Sequence, residues 1–189
     1  MKRPRGGRSP GAGSRSTGPA RGSVLLSSVS SDAHTWNLVF LQLLLEENGY
    51  DVVNLGACVP DELLLAEARA HAPDVIVISS VNGHGRADGR RLIGALRADP
   101  MLRGVPAVIG GKLGVAGADD AADAELLDAG FAAVFPDSPD TGPFLHLVDT
   151  VCTARRAARA AVPVARTGHG VIPSRFGNGL LPAYAADAS

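Results

Sequence analysis

The chain has 189 residues, 46% of them hydrophobic and 4% aromatic, with a formal net charge of −1. That length suits one domain with a proper core and additional tails. No apolar run approaches the ~18 residues of a membrane-spanning helix, which excludes that class of protein.

The first 22 residues carry Lys2, Arg3, Arg5, Arg8, Arg15 and Arg21, no acid, and many Gly, Ser and Pro. Lacking an apolar h-region, residues 1–22 are not a signal peptide and read as a disordered basic tail. Setting those charges aside leaves about −7 on the remainder, a poor match for nucleic acid. Cys58 and Cys152 stand far apart and form no CxxC or Cys/His metal pattern, which suits a free-thiol cytoplasmic protein.

From residue 23 strands and helices alternate. Ser23–Val29 reads as a buried strand, followed by the polar loop Ser30–Asn37. Asn37–Asn48 has apolar residues at helical spacing, and Gly49 closes it as a C-terminal cap. Asp51–Leu55 is a second strand. Pro60-Asp61-Glu62 starts a helix with acids in its first turn, ended by Pro73. Asp74–Ser79 is continuously apolar, as a strand buried on both faces should be. A helix over Gly89–Asp99, a strand over Val105–Ile109 and a short helix over Ala121–Ala129 come next. The strand Ala132–Phe135 and a final helix over Gly142–Ala161, with Arg155, Arg156 and Arg159 near its negative end, complete residues 23–162. Residues 163–189 lose periodicity and read as an extended or disordered tail.

This alternation predicts an α/β fold: a five-stranded parallel sheet with right-handed crossovers, in the flavodoxin-like order 2-1-3-4-5. In that topology ligands bind outside the carboxyl ends of the strands, where the order reverses. Three unusual stretches fall there: Ser31–Asn37, Ser79–Gly83 and Gly110-Gly111. The Asp32 carboxylate can accept the N–H of His34 and fix its tautomer, leaving the other ring nitrogen for a borderline metal. Ser79 offers a hydroxyl to a heterocycle nitrogen, and Gly110-Gly111 has no side chains to hold a bulky ligand away.

Alone, an Asp-x-His loop is commonly a turn, and so is a Gly-Gly pair. Trp36 is expected to pack at the start of its helix, Lys112 and His84 to be solvated, and His71, His146 and His169 carry no signal. A phosphoacceptor receiver would need an acidic pair after strand one, Asp after strand three and Lys after strand five. Those places hold Asp32, Ser79 and Pro136-Asp137, which fails that reading. A flavin-mononucleotide carrier would need a glycine in its phosphate loop, and Ser28–Thr35 has none.

Taken together, Asp32-Ala33-His34-Thr35-Trp36-Asn37, Ser79-Ser80-Val81 and Gly110-Gly111 resemble the signature of the cobalamin-binding small (S) subunit of glutamate mutase, also called methylaspartate mutase. The stretches VVNLGACVPDELL and SSVNGHG resemble it too, over roughly Val24–Pro139. Asn37 stands where that signature has Gly, and Val81 where it has Leu. Asn82 and His84 stand where the small subunit usually has Tyr and Gln.

The resemblance implies an isomerase component that binds adenosylcobalamin with its dimethylbenzimidazole tail displaced. His34 would be the cobalt ligand, backed by Asp32 and flanked by Ser31, Ala33 and Thr35. Ser79, Ser80 and Val81 would lie near the buried tail, with Gly110, Gly111, Lys112, Leu113, Gly114 and Val115 bordering the nucleotide loop. It also implies a separate large barrel subunit that carries the substrate site and converts glutamate to 3-methylaspartate. A barrel of that kind needs about 250 residues, more than this sequence has. The alternative is a stand-alone corrinoid carrier or a cobalamin-dependent regulatory module.

Overall fold

The computed structural model describes residues 20–114 and 120–161. Along the chain run β1 (Ser23–Ser27), α1 (Trp36–Glu47), β2 (Asp51–Asn54), α2 (Asp61–His71), β3 (Val75–Ser80), α3 (Gly85–Ala98), β4 (Ala107–Gly111), α4 (Asp120–Ala129), β5 (Ala133–Pro136) and α5 (Gly142–Ala161). The sheet is parallel throughout, in the order β2-β1-β3-β4-β5, as the alternation of elements predicts. Of the expected tails over residues 1–22 and 163–189, residues 1–19 and 163–189 lie outside the described residues, whereas residues 20–22 are described and lead into β1.

Side chains of successive strand residues point to opposite faces, and the two cores divide accordingly. Leu25, Ile76, Ile78 and Ile109 pack with Leu64, Leu92, Leu96 and Leu126 on the side of α2, α3 and α4. Val24, Leu26, Val77 and Val108 pack with Leu38, Leu45, Val148 and Cys152 on the side of α1 and α5. Every residue of β3 is buried.

Gly49 ends α1 as its position in the pattern predicts. At φ +86° it donates its N–H to the Glu46 carbonyl, while the Tyr50 N–H returns to Leu45. Those two bonds make a Schellman cap. Arg21 and Gly22 pack on the domain: the Arg21 N–H donates to the Gly49 carbonyl, its guanidinium meets Asp149 at 2.6 Å, and Gly22 abuts Cys152.

Two elements depart from the sequence expectation. Helix α3 starts at Gly85, before the expected Gly89, because glycine serves here as a packing surface. A Cβ on Gly85 would come within 2.9 Å of the Ser80 Cβ, and one on Gly89 within 2.6 Å of the Ile109 Cδ1. Strand β4 runs to Gly111 rather than Ile109, so the glycine pair is strand, in register with Ser79 and Ser80.

Candidate functional site

The register of β1, β3 and β4 brings the three polar stretches to one rim. Beyond β1 the chain turns back at Asp32, whose N–H donates to the Val29 carbonyl and whose carbonyl accepts the Cys58 N–H at 2.9 Å. The Asp32 side chain is fully buried. Its Oδ1 accepts the His34 backbone N–H at 3.0 Å and meets the His34 Nδ1 at 2.6 Å. Its Oδ2 accepts the Ser80 hydroxyl at 2.9 Å and the Val81 N–H at 2.6 Å. Burial alone would raise the pKa of this carboxyl. The donors from His34, Val81 and Ser80 outweigh burial and hold it below the usual carboxylate range.

A permanent carboxylate against Nδ1 makes that nitrogen the N–H donor of the ring. The Nε2 nitrogen then carries the lone pair, on a side chain that is 61% exposed. Ala33, Thr35 and Trp36 are exposed beside it. Trp36 does not pack at the helix start as expected: it is 85% exposed and begins an outward stripe with Val39, Phe40 and Leu43. The spacing along α1 explains this, since Leu38 and Leu45 take the inward face.

A second network holds the same loop from the α3 side. Ser31 donates to Asp88 and receives Asn82, whose Nδ2 reaches both the Ser31 carbonyl and hydroxyl at 2.9 Å. Arg91 joins Asp61 at 2.7 Å, Asp88, and the Ser30 hydroxyl at 2.8 Å. Its pKa is raised by the hydrogen bonds to Asp61 and Asp88, so the clamp stays charged. Sequence reasoning missed Arg91; the Asp88–Arg91 spacing is a readable i,i+3 pair, but the reach to Asp61 and Ser30 is not.

A cleft of about 310 Å³ opens between α1, the ends of β3 and β4, and the start of α5, with Asn37 on its wall. Its walls are mainly apolar: Phe40, Leu41, Val77, Val81, Val108, Phe135 and Phe144, the last two packed edge to face at 5.6 Å. Ser79, Gly110 and Gly111 line it, as does Asn37. The Asn37 Nδ2 donates to the Ser79 hydroxyl oxygen at 2.6 Å, and its Oδ1 is buried with no partner among the described residues.

Gly110 and Gly111 are needed for a reason other than ligand access. A Cβ on Gly110 would come within 2.9 Å of the Phe135 carbonyl oxygen, and one on Gly111, at φ +102°, within 2.3 Å of the Ser80 carbonyl oxygen. Of the residues expected after β4, Lys112 is exposed, Leu113 is 8% exposed within the α3-side core, and Gly114 lies near Arg86. Val115 lies outside the described residues.

This geometry fits a corrinoid. An exposed imidazole is followed, three residues on at Asn37, by a mainly apolar cleft whose polar lining comprises Asn37, Ser79, Asp137, Ser138, Asp140 and Thr141. Among the described residues no group of His, Cys, Asp and Glu could enclose a metal ion unaided. A lone imidazole suits a metal that arrives already held in a ring.

Fold and rim together define the class: the chain belongs to the B12 binding domain family, whose model matches residues 22–142. Among its relatives is the glutamate mutase sigma subunit of Halobacterium salinarum, 35% identical over 133 residues, which span 69% of this chain and 85% of that one. Among solved structures, a cobalamin-binding protein from Desulfitobacterium hafniense superposes with a TM-score of 0.53 at 21% identity, over 72% of this chain and 58% of that one. The receiver domain of a Francisella response regulator superposes with a TM-score of 0.56 at 20% identity, over 71% and 98%. Likenesses at that identity show the fold alone, and the rim residues distinguish the two classes.

Proposed function

We propose that this chain is the cobalamin-binding small subunit of an adenosylcobalamin-dependent carbon-skeleton mutase, converting glutamate to 3-methylaspartate together with a separate large barrel subunit. The observation that carries the reading is the Asp32–His34 pair, a buried carboxylate bonded to Nδ1 at 2.6 Å beside an exposed ring. Kinship with a glutamate mutase sigma subunit over most of its length supports the choice of reaction.

In this reading His34 would hold the cobalt through Nε2, and Asp32 fixes the ring's tautomer and orientation. Ser31, Ala33 and Thr35 border the corrin. Ser79, Ser80, Val81, Gly110 and Gly111 would hold the nucleotide tail at the cleft between α1 and α5, and residues 112–115 would border its loop. The apolar walls exclude water from the tail, and the hydrogen bonds on Asp32 hold the loop ready before the cofactor arrives. When bound, the cofactor supplies the radical chemistry that no side chain here provides.

The test is reconstitution. Purified chain, adenosylcobalamin and a large subunit should form methylaspartate in a glutamate-dependent reaction. No product with any co-encoded barrel protein would count against the mutase assignment. Preferential binding of methylated cobalamin would instead favour a corrinoid carrier.

A further inference from the structure

Asp32 is gripped from the sheet by Ser80 and Val81, and the two residues before it are gripped from the helices. Arg91 of α3 sets Nε and Nη2 on the two carboxylate oxygens of Asp61, the first residue of α2, at 2.7 and 3.1 Å. Its Nη1 donates to one oxygen of Asp88, and Nη2 also reaches the Ser30 hydroxyl at 2.8 Å. The other Asp88 oxygen accepts the Ser31 hydroxyl. The Asp61 and Asp88 side chains are only 16% and 13% exposed, so one cation serves two anions largely withdrawn from water. An isolated surface ion pair contributes little, whereas a two-pronged arginine within a network fixes geometry as well as charge. Arg91 does not itself line the cleft. It touches the loop at Ser30 and, through Asp88, at Ser31, and the backbone carries that restraint on to Asp32 and His34.

We propose that Arg91 is a positioning residue for His34: its fork, spread over Asp61, Asp88 and Ser30, holds the loop after β1 in its binding conformation before a corrinoid arrives. The inference rests on the cobalamin reading above and extends it to the α2–α3 side of the domain. Without the fork the loop is free to take other conformations, and the apparent dissociation constant rises in inverse proportion to the competent fraction. The loss falls on association, because a bound corrinoid orders the loop in every variant. Lysine keeps the charge but offers a single point where three partners need a planar fork.

Stopped-flow mixing of the full chain with adenosylcobalamin tests this, followed by quenching of Trp36, the only tryptophan. Wild type, Arg91→Ala, Arg91→Lys, Asp61→Asn and the double variant Arg91→Ala/Asp61→Asn are compared, with circular dichroism to confirm folding. Asp61→Asn leaves α3 untouched and carries the test if Arg91→Ala unfolds.

Affinity should fall about tenfold in Arg91→Ala and Arg91→Lys, the lower end of the loss expected for groups that orient a metal-binding histidine. The association rate should carry that loss, with dissociation within about twofold of wild type. Asp61→Asn should weaken binding in the same way, and the double variant should bind no worse than Arg91→Ala, because both substitutions release one clamp. Affinity within about twofold of wild type in Arg91→Ala, Arg91→Lys or Asp61→Asn overturns the inference and leaves cobalamin binding intact. A loss confined to dissociation overturns it too, since the guanidinium would then be holding the bound cofactor. Losses that multiply in the double variant also overturn it, since the two residues would then act separately. Failure of the wild type to bind adenosylcobalamin overturns the cobalamin reading itself, and this inference with it.

Discussion

Asp32 grips His34 twice, accepting its backbone N–H at 3.0 Å and engaging its Nδ1 at 2.6 Å through the same oxygen. The second carboxylate oxygen is committed to Ser80 and Val81. One buried side chain thus ties the loop after β1 to the end of β3 and aims the imidazole. The two residues should therefore fail differently when altered.

His34→Ala removes a ring that is itself exposed but donates to the buried Asp32 carboxylate, whose other donors remain, and should cost about 1–2 kcal/mol. It should abolish the axial nitrogen splitting in the electron paramagnetic resonance spectrum of the cob(II) form. In wild type that splitting should change when histidine is labelled with nitrogen-15. Identical spectra for labelled and unlabelled wild type would show that His34 is not the ligand. Asp32→Asn places an amide against several donors and should cost about 2–3 kcal/mol in denaturant melts. Cobalamin affinity should fall roughly 10- to 100-fold, as for other residues that orient a metal-binding histidine.

The pKa of Asp32 sets the pH range of that difference. Its folded value lies below the ordinary one, so its stabilising effect is complete above the unfolded value near ~3.9 and is lost as pH falls through the lower folded value. The stability gap between wild type and Asp32→Asn should stay level from neutrality down to about pH 4, then narrow. A gap that narrows already between pH 7 and ~5 would mean that another group is responsible.

Gly111 and Gly94 form a matched pair of tests. At Gly111 a Cβ meets the Ser80 carbonyl oxygen at 2.3 Å in a left-handed backbone conformation, and Gly111→Ala should cost at least about 2 kcal/mol. Gly94 lies exposed inside α3 with nothing within 4 Å of its would-be Cβ. Gly94→Ala should stabilise the protein by about 0.5–1 kcal/mol. Thermal melts of both variants check the signs.

The two thiols should react in separate phases. Cys58 is exposed, while Cys152 is buried against Gly22, and burial pushes its thiol up to about 11. A disulfide reagent near neutral pH should modify Cys58 in the native protein and reach Cys152 only on unfolding. Two fast thiols without denaturant would contradict this packing around Gly22.

The five-strand alternation, the order of the sheet, the Gly49 cap and the Asp32–His34 pairing were all legible in the amino-acid sequence. The order follows from the alternation and the handedness of crossovers, and the others depend on local spacing: a continuous apolar run in β3, three to four in α1, two residues between carboxylate and imidazole. Tertiary contacts decided the rest. The Ser80 side chain lies too close to Gly85 for a Cβ there, and Gly110-Gly111 is strand through its pairing with Ser79 and Ser80, with no room for a Cβ beside Phe135 and Ser80. The cleft joins Phe40, Phe135 and Phe144 from separate elements, and the orphaned Asn37 oxygen exists only once Ser79 stands beside it. Periodicity encodes which face of an element is buried; the neighbours that face meets are set by the packing of residues far apart in the chain.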